Sequence, residues 1–241
     1  MDETLVRQYP ELELKHFWWV TRRLLVHRLI STVRAQGEMD VLDIGCGSGV
    51  LARELAQSGA AVTASDLIPH PDWSASRNPR FVAGDYLGLS TELGVHDVVL
   101  ALDVMEHFED DRAFADHLMD NVRPGGSAIV TVPAYKWLWS RHDEVNHHFR
   151  RYTRATLRQV ITGAGLEVSR CGYIFFGLIA PKLLVSVVGR GSDRDEIPTP
   201  APIFNETATK YFQLEHRIAI TRRNFLPAGT SVLAVCRRPF R

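Results

Sequence analysis

The order of residue types predicts an α/β domain: an open, mostly parallel sheet with helices on both faces. Three observations carry this. β-forming runs recur at 40–44, 61–65, 81–83, 97–102 and 127–132, with helical patterns at 49–58 and 110–121 between them. Asp97–Leu102 is almost wholly apolar, as suits a strand covered on both faces. Val41–Gly49 (VLDIGCGSG) runs from a strand through Gly45, Gly47 and Gly49 into an apolar helical stripe of Val50, Leu51 and Leu55.

The elements follow in order. Residues 11–36 carry one long helical pattern, dense in aromatics at His16-Phe17-Trp18-Trp19, with Gly37 closing it. Gly59 ends the 49–58 helix, and the strand at 61–65 runs into Asp66. His70–Arg80 is a polar, Pro-rich loop, and Pro124-Gly125-Gly126 turns into the strand at 127–132. An irregular aromatic and charged segment from Pro133 to Arg151 precedes a helix at 153–163, and a strand is expected over Glu167–Phe176. Residues 177–228 hold an apolar helix (178–188), a linker (191–202) and an amphipathic helix (205–223) before a last strand, Ser231–Arg237. The chain reads as one domain, 1–241: a helical cap (1–37), a core (38–176), a helical insertion (177–228), then the last strand and tail (229–241).

Bulk properties exclude several classes. Lys+Arg and Asp+Glu both number 28 in 241 residues, so no global attraction to nucleic acid or an anionic membrane exists. Cys46, Cys171 and Cys236 form no CxxC pair, which argues against a disulfide framework or zinc knuckle and fits a reducing cytoplasm. The acidic first residues lack the apolar run of a secretory signal. The greasiest stretch, Tyr173–Gly189, is interrupted by Pro181 and Lys182 and is too short to span a bilayer.

The glycine turn carries the chemistry. A strand–turn–helix junction brings backbone N–H groups to a ligand, and glycine permits the close approach and positive φ. A dinucleotide fingerprint would put its third glycine where Val50 stands. Asp43, two residues before Gly45, would repel a pyrophosphate and suits a ligand that carries an ammonium. The stretch resembles motif I of the class I S-adenosylmethionine (SAM)-dependent methyltransferases. That resemblance implies a Rossmann-like, seven-stranded sheet with its last strand antiparallel, and SAM as cofactor. It implies that Asp43, Gly45, Cys46, Gly47 and Gly49 line the cofactor, that Asp66 with Leu67 meets the ribose diol, and that Asp85 meets the adenine amino group with Tyr86 over the ring. Leu102, Asp103 and Val104 would lie against adenine or methionine. The HFWWxxRR start is similar to that of bacterial relatives; Arg22 would pair with the cofactor carboxylate and Trp18 face the sulfonium. Packing of Trp18 and Trp19 on the sheet is the equal alternative.

On the acceptor side, Met105-Glu106-His107 follows the fourth strand and Arg141–His148 follows the fifth. The whole of VPAYKWLWSRHDEVNHHFRRYT resembles an acceptor-pocket signature of a bacterial methyltransferase subgroup. His147 or His148 is the expected general base, with His142 a lesser candidate. Asp103-x-x-Glu106-His107 plus a later His resembles the metal ligands of some ubiquinone-pathway and RNA-end methyltransferases. The Glu-His pair also occurs in metal-free relatives, and Asp at the first position shortens the reach, so no metal is expected. The insertion should roof the acceptor pocket. Its apolar residues (Leu178, Ile179, Leu183, Leu184, Val187, Val188) read first as core or a homodimer face, and otherwise as contact with a hydrophobic or lipid-linked acceptor or a membrane surface.

The expected function is methyl transfer from SAM to a small-molecule acceptor, at a hydroxyl oxygen, in the cytoplasm. A nucleotide-dependent oxidoreductase is disfavoured by Val50, a non-catalytic SAM-binding scaffold or sensor by the histidine-rich loop. Nucleic-acid methylation is disfavoured by neutral charge and the lack of an NPPY-like motif.

Overall fold

A computed structural model describes residues 10–33, 38–69, 78–188, 200–221 and 226–240. Seven strands form one sheet: β1 (Asp40–Ile44), β2 (Ala61–Asp66), β3 (Arg80–Ala83), β4 (His96–Leu102), β5 (Val122–Pro133), β6 (Glu167–Ile174) and β7 (Ser231–Arg237). Their order is β3-β2-β1-β4-β5-β7-β6. All neighbours are parallel except β7, which runs antiparallel to both β5 and β6. The strand order reverses between β1 and β4, so a crevice opens at their carboxyl ends, where such sheets bind ligands.

Helices among the described residues include α1 (Phe17–Ile30), α2 (Val50–Gln57), α3 (Tyr86–Leu93), α4 (Asp111–Asn121), α5 (Arg141–Val145), α6 (Arg154–Gly163), α7 (Ile179–Val188) and α8 (Pro202–Thr221). Successive strand residues point to opposite faces. Leu42, Val99 and Ala101 therefore pack with Phe114, Leu118, Leu157 and Ile161 from α4 and α6. Val41, Val98 and Leu100 meet Leu25, Leu29, Leu55 and Phe212 from α1, α2 and α8. Each fully buried Leu or Phe contributes roughly 1.5–3 kcal/mol.

Several expectations need correction. The N-terminal helix is broken: residues 10–15 are helical, and extended His16 caps α1 by accepting from the Trp18 N–H at 3.2 Å. Desolvation lowers the His16 pKa to about 4, which keeps the ring neutral and able to accept. Helix α3 was not expected; it is eight residues long with Gly88 inside, and buried Tyr86, Ser90 and Leu93 hold it against the sheet. The Pro124–Gly126 turn is absorbed into β5, whose register on β4 shifts between the His96 and Val98 pairings. Strand β6 stops at Ile174, because Phe175 takes φ 61° and starts a turn into α7. The amphipathic helix begins three residues earlier than expected, at Pro202, and its expected end at 223 lies outside the described residues. Gly37, most of the 70–80 loop and most of the 191–202 linker lie outside the described residues, as do the side chains of Val187 and Val188. Among the described residues no helix is long and apolar enough to cross a membrane.

Candidate active site

The glycine turn after β1 is fixed first by its neighbour strand. Gly45 N and Cys46 N both donate to Ser65 O, at 2.8 and 3.1 Å. Gly45 and Gly47 take φ 65° and 58°. A Cβ on Gly45 would stand 2.5 Å from Val104 Cγ2, and one on Gly47 2.6 Å from Glu13 Oε1. The turn thus packs so closely against the end of β4 and the N-terminal segment that a side chain has no room. Asp66 accepts from Gly47 N (2.8 Å) and from Leu67 N (2.7 Å), which aims its carboxylate at the turn; burial raises its pKa against those bonds. Leu67 itself is exposed and Cys46 buried.

Asp43 is buried beneath this turn, and burial, opposed by Arg22 and aided by Glu13 and Asp66, pushes its pKa up to about 7. Glu13 was missed by sequence reasoning. Its carboxylate accepts from Ser48 Oγ at 2.5 Å and Ser48 N at 3.3 Å. No local motif marks it; only the fold brings residues 13 and 48 together.

Arg22 reaches from α1 to the end of β4, donating to Asp103 Oδ2 at 2.5 Å, with its guanidinium 4.5 Å from the Trp18 ring centroid. In this structure Arg22 pairs with Asp103, and its Nε is buried without a hydrogen-bond partner. Trp18 stacks on Phe175 with ring centroids 5.9 Å apart, whereas Trp19 is buried. Trp18, partly buried, thus packs against the core along with Trp19, as the packing alternative expects. Asp103 takes φ 58° and also accepts from Thr131 Oγ1 at 3.1 Å, with Leu102 and Val104 on either side of it.

Asp85 is exposed beyond β3. Tyr86 is not: its ring packs against Phe114 and its hydroxyl donates to Asn121 Oδ1 at 2.8 Å, so the expected cover over adenine is corrected to a core role. The burying force is the apolar floor of α4, which sequence spacing does not reveal.

Across the crevice, α5 and the turn after it build a second constellation. Buried Asp143 accepts from Arg151 Nε (2.7 Å) and Nη2 (2.8 Å), from Ser140 N (2.8 Å), and pairs with His148 Nδ1 at 2.9 Å. Burial alone would raise its carboxyl, but the His148 and Arg151 bonds prevail and hold it well below the usual carboxylate range. His147 takes φ 55° and turns to solvent. His142 sits a turn away, with Asn146 Nδ2 3.2 Å from its Nδ1. Of the three candidate bases, only His148 is oriented by a buried carboxylate.

The His148 ring meets the His107 ring edge-on at 4.6 Å. Desolvation and the neighbouring His148 lower the His107 pKa to about 4, so that ring is a neutral acceptor. Beside them Glu106 is buried, both its carboxylate oxygens lack a hydrogen-bond partner, and desolvation with Asp103 raises its pKa well above the ordinary value. Ligand atoms of Glu106, His107 and His148 all lie within 4.8 Å of one another. One carboxylate and two imidazoles form a donor set whose chemistry suits a divalent cation, a grouping that the expectation of no metal did not anticipate.

One prediction arises from the turn. Gly47→Leu forces a side chain into the left-handed region at about 1–2 kcal/mol and against Glu13. Calorimetry should show SAM binding lost, while the melting temperature falls by only about 2–8 °C.

The comparisons agree with this geometry. Residues 18–170 match a family described as a methyltransferase domain. The ubiquinone biosynthesis O-methyltransferase of Rickettsia canadensis is 27% identical over 189 residues, 65% of this chain and 80% of that protein. The Rickettsia felis enzyme of the same name is 27% identical over 50% of this chain, and the alignment spans just 57% of its length. The mitochondrial one of Schizosaccharomyces pombe is 35% identical over 38% of this chain and 37% of its own. A SAM-dependent methyltransferase from Archaeoglobus fulgidus superposes with a TM-score of 0.61 at 16% identity, covering 98% of this chain and all of that one. The magnesium protoporphyrin IX methyltransferase of Synechocystis PCC 6803 with bound SAH gives 0.53 at 18% identity, over 91% and 84%. At these identities the structures speak for the fold alone. With the family match spanning more than half of the sequence and the seven-stranded sheet in its expected order, this chain belongs to the class I SAM-dependent methyltransferases.

Proposed function

We propose that this protein transfers the methyl group of SAM to a hydroxyl oxygen of a small-molecule acceptor. The observation that carries it is the Asp143–His148 pair, clamped by Arg151 and set across the crevice from the glycine turn. When bound, SAM supplies a methyl group already activated by its positive sulfur. The chain then has three tasks: exclude water, align the acceptor, and take its proton. A His148 Nδ1–H held by Asp143 leaves Nε2 with a lone pair, the form a base needs. Buried Glu106 and Phe175, the latter stacked under Trp18, would help exclude water. O-methylation is the reaction in the names of the Rickettsia and Schizosaccharomyces relatives, which supports oxygen as the acceptor atom.

On the cofactor side, Asp66 would hold the ribose diol, exposed Asp85 the adenine amino group, and Arg22 Nε the methionine carboxylate. Asp43 supplies the negative field for the ammonium. Its pKa near 7 gives a sign. A cation favours the ionised carboxylate, so binding below pH 7 expels a proton; SAM affinity should rise with pH to about 7 and then level off. Calorimetry in two buffers of different protonation enthalpy would show proton release at pH 6 and little at pH 8. The ligand-free protein runs the other way. A carboxyl raised above its ordinary value stabilises most when protonated, and that stability is lost as pH climbs from about 4 through 7.

A second reading of the acceptor side is favoured by the Glu106–His107–His148 donors. There a divalent cation would acidify the hydroxyl by polarising its oxygen, in place of a histidine base. Chelation separates the two: with the base reading, turnover survives EDTA, and with the cation reading it falls and returns on adding Mg²⁺, Mn²⁺ or Zn²⁺.

Exposed Leu183 and Leu184 near the acceptor loop support a hydrophobic or lipid-linked acceptor and membrane-surface contact, and exposed Ile203, Phe204 and Leu214 on α8 support a homodimer. Buried free Cys46, Cys171 and Cys236 suit the cytoplasm. Labelled SAM incubated with a metabolite extract tests the whole reading. A methylated product is expected; SAM binding without any product would leave a scaffold.

A further inference from the structure

Two carboxylates converge on one glycine of the turn after β1. Asp66 Oδ2, at the end of β2, accepts from Gly47 N at 2.8 Å. Glu13 Oε1 lies against the same residue, 2.6 Å from where a Cβ would stand, so the missing side chain is what admits it. A third carboxylate, Asp43, is buried beneath the turn.

The Glu13 carboxylate is held in place. It is buried, and it accepts from Ser48 Oγ at 2.5 Å and from Ser48 N at 3.3 Å. Arg23 donates to the Glu13 main-chain oxygen while its Nε grips Glu54 of α2 at 3.2 Å, so the segment before α1 is anchored at two points.

The charges on the turn are uneven. Arg22 pairs with Asp103 and Arg23 with Glu54, while Arg53 donates to Ser48 O at 2.8 Å. Among the described residues none of Glu13, Asp43 and Asp66 enters an ion pair. Burial pushes the Asp43 pKa up to about 7, so that group carries part of a charge near neutral pH. Even with Arg53 set against them, the carboxylates exceed the cations, which burial penalises until a cation completes the cluster. On the methyltransferase reading, which this inference deepens, the donor brings an ammonium, a sulfonium and one carboxylate.

We propose that Glu13 is a donor-recognition residue: its carboxylate, seated on Gly47 and Ser48, pairs with the ammonium of the donor's amino-acid end. A carboxylate has about four lone-pair sites, and Ser48 occupies two, so acceptor capacity remains. A mere tether for the N-terminal segment would favour every ligand alike. An ammonium partner favours only ligands that carry the amine, and so selects the donor against deaminated analogues.

The test is calorimetry on the full chain at pH 8, above the Asp43 pKa. Three ligands are titrated: SAH, adenosyl thiobutyrate (the same molecule without its amino group) and adenosyl thiopropylamine (the same molecule without its carboxylate). Wild type should bind SAH about tenfold or more tightly than the thiobutyrate, as befits a charge-assisted bond. Glu13→Gln keeps an oxygen for Ser48, so its melting temperature should match wild type. It should weaken SAH and the thiopropylamine by about tenfold and leave the thiobutyrate unchanged. Glu13→Ala should repeat that pattern. Equal binding of SAH and thiobutyrate by wild type overturns the assignment without any variant. So does a Glu13→Gln protein that loses all three ligands alike, or that binds SAH as wild type does. Failure of wild type to bind SAH overturns the methyltransferase reading instead, so the two failures are distinct.

Discussion

His148→Ala should lower turnover by about 10²–10⁴-fold, the usual worth of a positioned acid–base group, with SAM affinity unchanged. The imidazole touches neither the glycine turn nor Asp66, so the loss falls on the chemical step. Asp143→Asn should lower turnover as well: an amide can leave Nδ1 unprotonated and put the proton on Nε2, where a base cannot use it. His147→Ala should change nothing, because that ring faces solvent. Single-turnover rates with labelled SAM measure all three. Full activity in His148→Ala would put the base elsewhere, and metal-restored activity in a chelated wild type would favour the cation reading.

Arg151→Met should be the most damaging single change to the fold. It leaves the Asp143 carboxylate, 0% exposed, without its two-pronged partner and removes the donor to Ala134 O at 3.0 Å. Breaking such a pair on one side costs about 3–5 kcal/mol. For a domain of this size the melting temperature should fall by about 6–20 °C. Asp143→Asn with Arg151→Met should recover part of that loss, since no unpaired charge then remains. Thermal denaturation monitored by circular dichroism decides it, and a double variant as unstable as Arg151→Met alone would refute the argument.

The parts of the fold legible in sequence are those where a local rule and the tertiary structure agree. Val41–Gly49 announces its strand and turn because glycine is the residue that both the positive φ and the contact with Val104 require. Asp97–Leu102 reads as a central strand because both its faces are covered. Elements that depend on distant partners were not legible. Helix α3 has weak intrinsic preference and rests on Tyr86 and Leu93 packing inward. The break at His16 depends on a neutral imidazole in a desolvated setting.

The site divides in the same way. Its segments were recognisable, but the three candidate histidines, His142, His147 and His148, are indistinguishable by residue type. Burial of Asp143, set by Arg151 eight positions on, is what singles out His148. Glu13 carries no motif at all; a helical segment before the sheet delivers it to the glycine turn.

Glu13 has an effect beyond its contact with Ser48. Its negative charge is one of the influences that make Asp43 reluctant to ionise. The short helical segment around Glu13 therefore adjusts, through space, the acidity of a residue thirty positions downstream. Glu13→Gln, which removes that charge while keeping the segment, should make the Asp43 carboxyl easier to ionise, shifting its titration to lower pH.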